Sequence, residues 1–212
     1  MRRLFGTSAL SGWLGISLLG FVFGASGCRG SDAAAESEAA ALPLLSSVGP
    51  FWLTDQAGRK FTEQHLDGKI WVAAFMFTRC PTICPEMTRR MRLLQEQAAA
   101  RKIPLHLLSF SVDPGNDTPE VLTAFAKKHQ VDLSSWWFLT GDNAVIRAAA
   151  ENGFKIAVDG TPKEGSQHYG ITHGTHLVLL DGKRRIRGYY QSSEPQKLEQ
   201  LLADAAKLSA EP

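Results

Sequence analysis

The sequence predicts an α/β fold in which a central mixed sheet is flanked by helices and preceded by an N-terminal hairpin. Three observations carry this prediction. An almost unbroken apolar run over residues 69–77 is typical of a strand buried on both faces. Strand and helix patterns then alternate three times, which places neighbouring strands parallel. Two further strand patterns surround Asp181-Gly182, a turn that favours a closing antiparallel hairpin.

The individual elements follow from turn, cap and periodicity signals in chain order. They are a hairpin over 51–62, the central strand over 69–77, a helix with Pro85 at its first position, a strand over 104–112, a helix over 117–129 capped by Thr118, a strand over 136–140, a helix from Asp142 to its stop at Gly153, two strands over 176–190, and a helix over 194–208. This is the element order of the thioredoxin-like fold. It places the turn after residue 77 at the carboxyl edge of the sheet, where open α/β sheets carry their sites.

Residues 1–28 have the pattern of a targeting segment. Two arginines precede an uncharged run, and small residues then lead to Cys28. The run resembles a bacterial lipoprotein signal in which Cys28 is lipidated. An uncleaved membrane anchor is the alternative, because the run has about the 20 residues that a spanning helix needs. Either interpretation predicts an extracytoplasmic, membrane-anchored protein, with a flexible tether over 29–47 and a globular domain over 48–212.

The charge balance gives no support for nucleic-acid binding. The chain has 23 basic and 21 acidic side chains, a formal net charge of +2. Arg2 and Arg3 account for both excess charges, because residues 1–28 contain no acidic side chain. The remaining charges balance, so no basic surplus is left to attract a phosphate backbone.

The segment FTRCPTICPEM, residues 77–87, contains Cys80 and Cys84. Residues four apart at a helix start come within disulfide range, and an oxidising compartment favours closure unless a reductant intervenes. The helix N-terminus predicts a lowered pKa for the Cys84 thiol. Two thiolates on one rigid turn also provide half of a copper(I) site, whereas a structural zinc site needs four ligands. A disulfide, a reactive dithiol and a metal site all remain open at this point.

The cysteine segment, together with SVDPGNDTPEVL, WFLTG and THGTHLVLLDGKRRIRGYY, resembles the Sco/SenC family over residues 48–205. Members of that family handle copper during assembly of cytochrome c oxidase. The resemblance implies one copper ion bound by Cys80, Cys84 and His173. It implies as partner the copper-site subunit of the oxidase, with another periplasmic copper carrier or a thiol reductant as a further partner.

The resemblance favours a metallochaperone over an enzyme. A thiol–disulfide reductase that uses Cys80 and Cys84 without metal, acting on the cysteines of the oxidase copper site, is the alternative. A peroxidase is a third option, because peroxiredoxins share the fold. The segment SQHYGITHGTHLV has no proline, whereas ordinary thioredoxin-type reductases carry a cis-proline in this region.

The choice of histidine depends on strand geometry. His173 and His176 are three residues apart, so in one extended strand their side chains point to opposite faces. Only one of them can then point at the cysteine turn, unless Gly174 supplies a bulge. We predict that His173 binds the metal, because it lies nearer the loop end of the strand and matches the ligand position that the family resemblance implies. We predict that His176 packs or hydrogen-bonds along the strand, with His168 as a reserve ligand.

Several other side chains have structural and functional interpretations. We predict that Asp117 helps Thr118 to cap the following helix and that Asp113 fixes the strand exit, with a supporting role at the site as the alternative. Helical spacing predicts that Met87 is a core residue. Arg79 and a basic cluster could bind an acidic partner, although a solvated strand face is favoured for the cluster, which consists of Lys183, Arg184, Arg185 and Arg187.

Overall fold

The computed structural model describes residues 41–160 and 172–211. Cys28, the targeting segment and His168 lie outside the described residues. In the part of the chain that is described, no helix is long and apolar enough to cross a membrane.

An eight-stranded mixed sheet forms the centre of the domain, in the order β1-β10-β9-β4-β5-β6-β2-β3. Its strands are β1 (Ser46–Ser47), β2 (Trp52–Asp55), β3 (Lys60–Thr62), β4 (Ile70–Met76), β5 (Leu105–Ser111), β6 (Trp136–Thr140), β9 (His176–Leu180) and β10 (Arg185–Gln191). Strands β4, β5 and β6 are parallel, and the other described neighbours pair antiparallel. A separate two-stranded sheet consists of β7 (Val158–Asp159) and β8 (Thr172–His173).

The helices begin where the sequence provides capping groups. They are α1 (Ile83–Ala100), α2 (Pro119–Lys128), α3 (Asn143–Ala148) with a π-helical continuation over Ala149–Gly153, and α4 (Pro195–Ala210), together with a 3-10 turn over Glu63–Leu66. The Thr118 hydroxyl accepts a hydrogen bond from the Val121 N–H at the start of α2. The Asp142 carboxylate accepts hydrogen bonds from two N–H groups at the start of α3.

The core is packed on both faces of the sheet. Phe125 of α2 contacts Phe138 of β6 edge-on, which closes one face. Phe154, which follows the π-helical turn, packs against Phe75 and Phe110 on the opposite face. The carboxyl ends of β4, β5 and β6 therefore meet at one edge between two packed layers.

The structure confirms the predicted thioredoxin-like architecture. Both hairpins, the central strand, the three strand–helix units and the closing helix form where the sequence predicted them. One helix boundary differs. Helix α1 begins at Ile83, so Pro85 occupies its third position instead of its first. Proline is tolerated there because the N–H groups of the first helical turn have no partner within the helix.

The start of the domain also differs from the sequence prediction. Residues 41–47, assigned to the tether, join the folded unit because Ser46 and Ser47 pair with β10. The buried Arg187 guanidinium also donates hydrogen bonds to the carbonyls of Leu42 and Pro43. An edge strand needs only backbone hydrogen bonds, so the absence of an apolar pattern concealed it.

Candidate metal centre

Cys80 and Cys84 lie at the carboxyl end of β4, on the turn that leads into α1. Both side chains are buried and both are thiols. The Cys84 N–H donates a hydrogen bond to Cys80 Sγ over 3.4 Å, so one helical turn brings the two residues together. Pro81 and Thr82 between them are exposed, and Ile83 is 37% exposed. The sulfurs therefore lie just below a small, partly apolar surface.

The thiol with the lowered pKa is that of Cys80. Burial acts to raise this pKa, but hydrogen bonds from the N–H groups of Cys84, Thr82 and Ile83 and from the Cys84 thiol outweigh it. These N–H groups belong to the first turn of α1, where backbone donors have no partner within the helix. The start of the helix therefore stabilises a thiolate at Cys80.

The predicted lowering of the pKa at Cys84 is wrong. Burial raises the pKa of the Cys84 thiol, and its hydrogen bond to Cys80 and the negative charges of Cys80 and Asp117 raise it further, against a hydrogen bond with the Phe77 backbone. Sequence position alone indicates that Cys84 lies near the helix N-terminus, but not where the backbone N–H groups point. In the structure the helix donors point at the sulfur before the helix, while Cys84 lies beneath them in the core.

Asp117 supports the cysteine turn from below. Its buried carboxylate accepts hydrogen bonds from the Thr78 N–H, the Thr78 hydroxyl and the Ser111 hydroxyl. Burial raises its pKa, although these hydrogen bonds act in the opposite direction. The predicted capping role of Asp117 is wrong, because Thr118 caps α2. Asp117 instead ties the end of β5 to the residue that lies two positions before Cys80.

Asp113 forms a second tie to the same turn. Its fully buried carboxylate accepts two hydrogen bonds from the Arg79 guanidinium, at 3.0 and 2.7 Å, and one from the Asn116 side chain. Its backbone carbonyl accepts the N–H groups of Asn116 and Asp117, which fixes the strand exit as predicted. Thr78 and Arg79, the two residues before Cys80, are thus each held by a buried carboxylate. Sequence reasoning missed Thr78 and Ser111, because isolated hydroxyl residues carry no spacing signal.

The backbone of His173 passes near the same edge of the sheet. It belongs to β8 and pairs with Val158 of β7. Strands β4 and β9 pair antiparallel, with Ala73 opposite Val178, so the start of β9 lies toward the end of β4 that leads to Cys80. The side chain of His173 lies outside the described part of the structure. Among the described side chains, no group of three or more metal-binding residues converges.

The predicted packing of His176 is wrong, because this first residue of β9 is exposed. In addition, His173 and His176 belong to different sheets, with Gly174 and Thr175 between them. Opposite faces of a single strand therefore cannot decide between the two histidines.

The remaining predicted residues have structural partners. Met87 is 2% exposed and lies in the core, as predicted. The basic cluster is largely engaged within the domain. Arg184 pairs with Glu63 and Asp67, while Arg185 and Arg187 both pair with Asp181. Most of the charge of this cluster is therefore already neutralised by acidic side chains of the same domain.

Comparison with known proteins identifies the family. A sequence profile of the SCO1/SenC family matches residues 40–209. The chain belongs to the SCO1/SenC family. The matched range contains every described strand, from β1 to β10.

Three solved structures show the fold together with sequence identity to this SCO1/SenC chain. A SCO1/SenC family lipoprotein from Bacillus anthracis is 37% identical, with a TM-score of 0.71, covering 78% of this chain and 96% of that protein. BsSco, a member of the Sco family of cytochrome c oxidase assembly proteins in which a disulfide switch was identified, is 33% identical, with a TM-score of 0.70 and coverages of 80% and 97%. Bradyrhizobium japonicum ScoI, solved with copper bound, is 26% identical, with a TM-score of 0.60 and coverages of 77% and 99%.

Proposed function

We propose that this protein is a copper metallochaperone that takes part in maturing the copper-site subunit of cytochrome c oxidase. The observation that carries the proposal is the pair of buried sulfurs of Cys80 and Cys84, held at the end of β4 by an ordered helix start. The copper-bound relative supports copper as the cargo. His173 is the proposed third ligand.

The donor set fits copper(I) and copper(II) better than the harder cations. Thiolate sulfur and imidazole nitrogen are ligands for copper, whereas magnesium and calcium select oxygen. Cys80 offers a sulfur whose pKa is lowered, and Cys84 gives up its proton when it binds. The hydrogen bonds of Thr78 with Asp117 and of Arg79 with Asp113 hold the turn in place, which favours a preorganised pair of sulfurs.

Metal titration of the reduced protein tests this proposal. We expect one equivalent of copper to bind, and oxidation of the two cysteines to a disulfide to abolish that binding. Cys80→Ser and Cys84→Ser should lose it, and His173→Ala should weaken it by at least about tenfold. His176→Ala is the matched control, because its exposed side chain lies three residues away. Undiminished copper binding by the oxidised protein would refute the dithiolate site.

The second candidate function is a thiol–disulfide reductase, and the unequal thiols favour it. A thiol with a lowered pKa beside a buried one with a raised pKa is the arrangement that a dithiol needs for attack and resolution. The relative with a disulfide switch supports the same chemistry. The histidine separates the two functions. His173→Ala should impair oxidase assembly at limiting copper in a chaperone, while leaving reaction with a disulfide dye unchanged. Normal assembly by this variant would favour the reductase.

The proposed location is the extracytoplasmic face of a membrane, with lipid attached at Cys28. The charged start and uncharged run support it, as does the lipoprotein relative from Bacillus anthracis. Cys28→Ser should abolish incorporation of a labelled fatty acid into the protein. An intact N-terminus on the mature protein would instead indicate an uncleaved anchor.

A further inference from the structure

The strand that carries His173 is a weak element by itself. Strands β7 and β8 have two residues each, and their sheet is separate from the main sheet. An isolated two-stranded hairpin is marginal in water, and this one is far shorter than a typical strand. The backbone of His173 therefore needs support from outside its own sheet.

Arg147 of α3 provides support along β7. Its Nη1 donates a hydrogen bond of 2.8 Å to the carbonyl of Val158, the residue paired with His173, and its Nη2 donates to the carbonyl of Gly160. Gly160 follows β7 with a φ of +84°, so the chain leaves the extended conformation there. The planar fork of one guanidinium thus binds a carbonyl of β7 and the carbonyl of the residue directly after the strand.

Arg147 is also held in place on α3, the helix from which it reaches β7. Nε of Arg147 donates to the Asn143 side chain one turn earlier. Helix α3 is anchored in the core by Ile146, which is 1% exposed, and at its start by the Asp142 cap. A rigid element of the domain is therefore joined through Arg147 to the strand beside His173.

We propose that Arg147 is a positioning residue for the copper ligand His173. The proposal rests on the proposed function, since it assigns Arg147 a role only if His173 binds copper. Arg147 does not touch the metal. Arg147 fixes the position of β7 through hydrogen bonds to its backbone. Because β7 pairs with β8, the position of β7 also fixes the backbone of His173. Loss of the guanidinium should therefore weaken the histidine ligand and leave the dithiol unchanged.

The test uses Arg147→Met, which keeps much of the side-chain stem and removes all donors, in the full chain. We expect copper(II) affinity to fall about tenfold, as for other residues that orient a metal ligand. The copper(II) spectrum should move toward that of His173→Ala, while the rate of Cys80 alkylation stays at the wild-type value. In the metal-free reduced protein, amide hydrogen exchange of residues 172–175 should quicken.

Two further variants separate positioning from general stability. Arg147→Lys keeps the charge but lacks the fork, so its copper affinity should fall between the wild type and Arg147→Met. Arg101→Met removes an exposed arginine that pairs with Glu199 on α4, far along α1 from the cysteines, and should leave the spectrum unchanged. In a His173→Ala background, Arg147→Met should cause no further loss of copper affinity.

The outcomes distinguish the inference from the function on which it rests. A wild-type spectrum and affinity in Arg147→Met, with both changed in His173→Ala, overturns the role of Arg147 alone. A His173→Ala variant with wild-type copper binding overturns the proposed ligand set, and the role of Arg147 falls with it. Equal losses from Arg147→Met with and without His173 would show a purely structural effect and would also overturn the inference.

Discussion

The cysteine turn and the β7–β8 hairpin face the same edge of the domain but are built very differently. The turn follows a central strand, leads into an 18-residue helix, and has Thr78 and Arg79 each bound to a buried carboxylate. The hairpin consists of two paired residues on each side and is tied to α3 through one guanidinium. The dithiol thus lies on a turn held by buried hydrogen bonds, whereas the histidine lies on a short pairing of the kind that can open locally.

The largest expected effect is at the cysteine turn. Asp117→Ala leaves three hydrogen-bond donors without their carboxylate, two of them on Thr78. Each hydrogen bond to a charged group contributes about 1.5–3 kcal/mol, so we expect the free energy of unfolding to fall by at least about 3 kcal/mol. Urea denaturation measures it. Asp142→Ala, which removes a helix cap, is the control and should cost about 1 kcal/mol. Equal decreases in the free energy of unfolding would mean that the hydrogen bonds of Asp117 stabilise the domain no more than one helix cap does.

The next effect concerns the two thiols. Because the pKa of Cys80 is lowered and that of Cys84 is raised, iodoacetamide should modify Cys80 at least about tenfold faster than Cys84. A difference of one pKa unit is sufficient to change the thiolate population about tenfold. The rate should rise with pH through a midpoint below the pKa of an ordinary cysteine, since the thiolate is lost only as pH falls through the lowered pKa. Peptide mapping at low conversion identifies the modified residue. Preferential labelling of Cys84 would reverse the assignment.

The smallest effect is expected in the hairpin. A Cβ at Gly174 would lie 3.1 Å from Ile156 Cγ2, so Gly174→Ala overpacks the contact beside His173 at a cost of about 1 kcal/mol. We expect faster amide exchange at residues 172–175 with a smaller shift of the urea midpoint than in Asp117→Ala. Gly115→Ala is the control, because the space around Gly115 is open. A global destabilisation as large as that of Asp117→Ala would show that the hairpin is part of the main cooperative unit.

Much of the fold was predictable because its signals are local. Apolar runs, caps such as Thr118 and turn residues such as Asp181-Gly182 each specify an element within a few residues. Strand β1 and the β7–β8 pair escaped prediction for a shared reason. Each is two residues long, and each is fixed by backbone hydrogen bonds to distant parts of the chain, which leave no periodicity.

The place of the two cysteines in the fold could be predicted from the sequence, but the electrostatics of their thiols could not. The spacing of Cys80 and Cys84 and the family resemblance pointed to the dithiol. Which sulfur carries the lowered pKa depends on where the N–H groups of α1 point and on how deeply each thiol is buried. Likewise, the role of Asp117 depends on its hydrogen bonds with Thr78, which lies 39 positions earlier in the chain. Helix-cap rules consider only residues close in sequence, so they could not predict this contact.

The hydrogen bonds of Arg187 have a mechanical consequence. This single buried guanidinium holds the carbonyls of Leu42 and Pro43, the carboxylate of Asp181 and that of Glu211 at the other end of the domain. The two ends of the folded unit are therefore clamped at one point. Force applied at the start of the folded unit would therefore be transmitted through Arg187 to β10 and to the end of α4. A short linker that joins the two ends of the unit should accordingly be compatible with its fold.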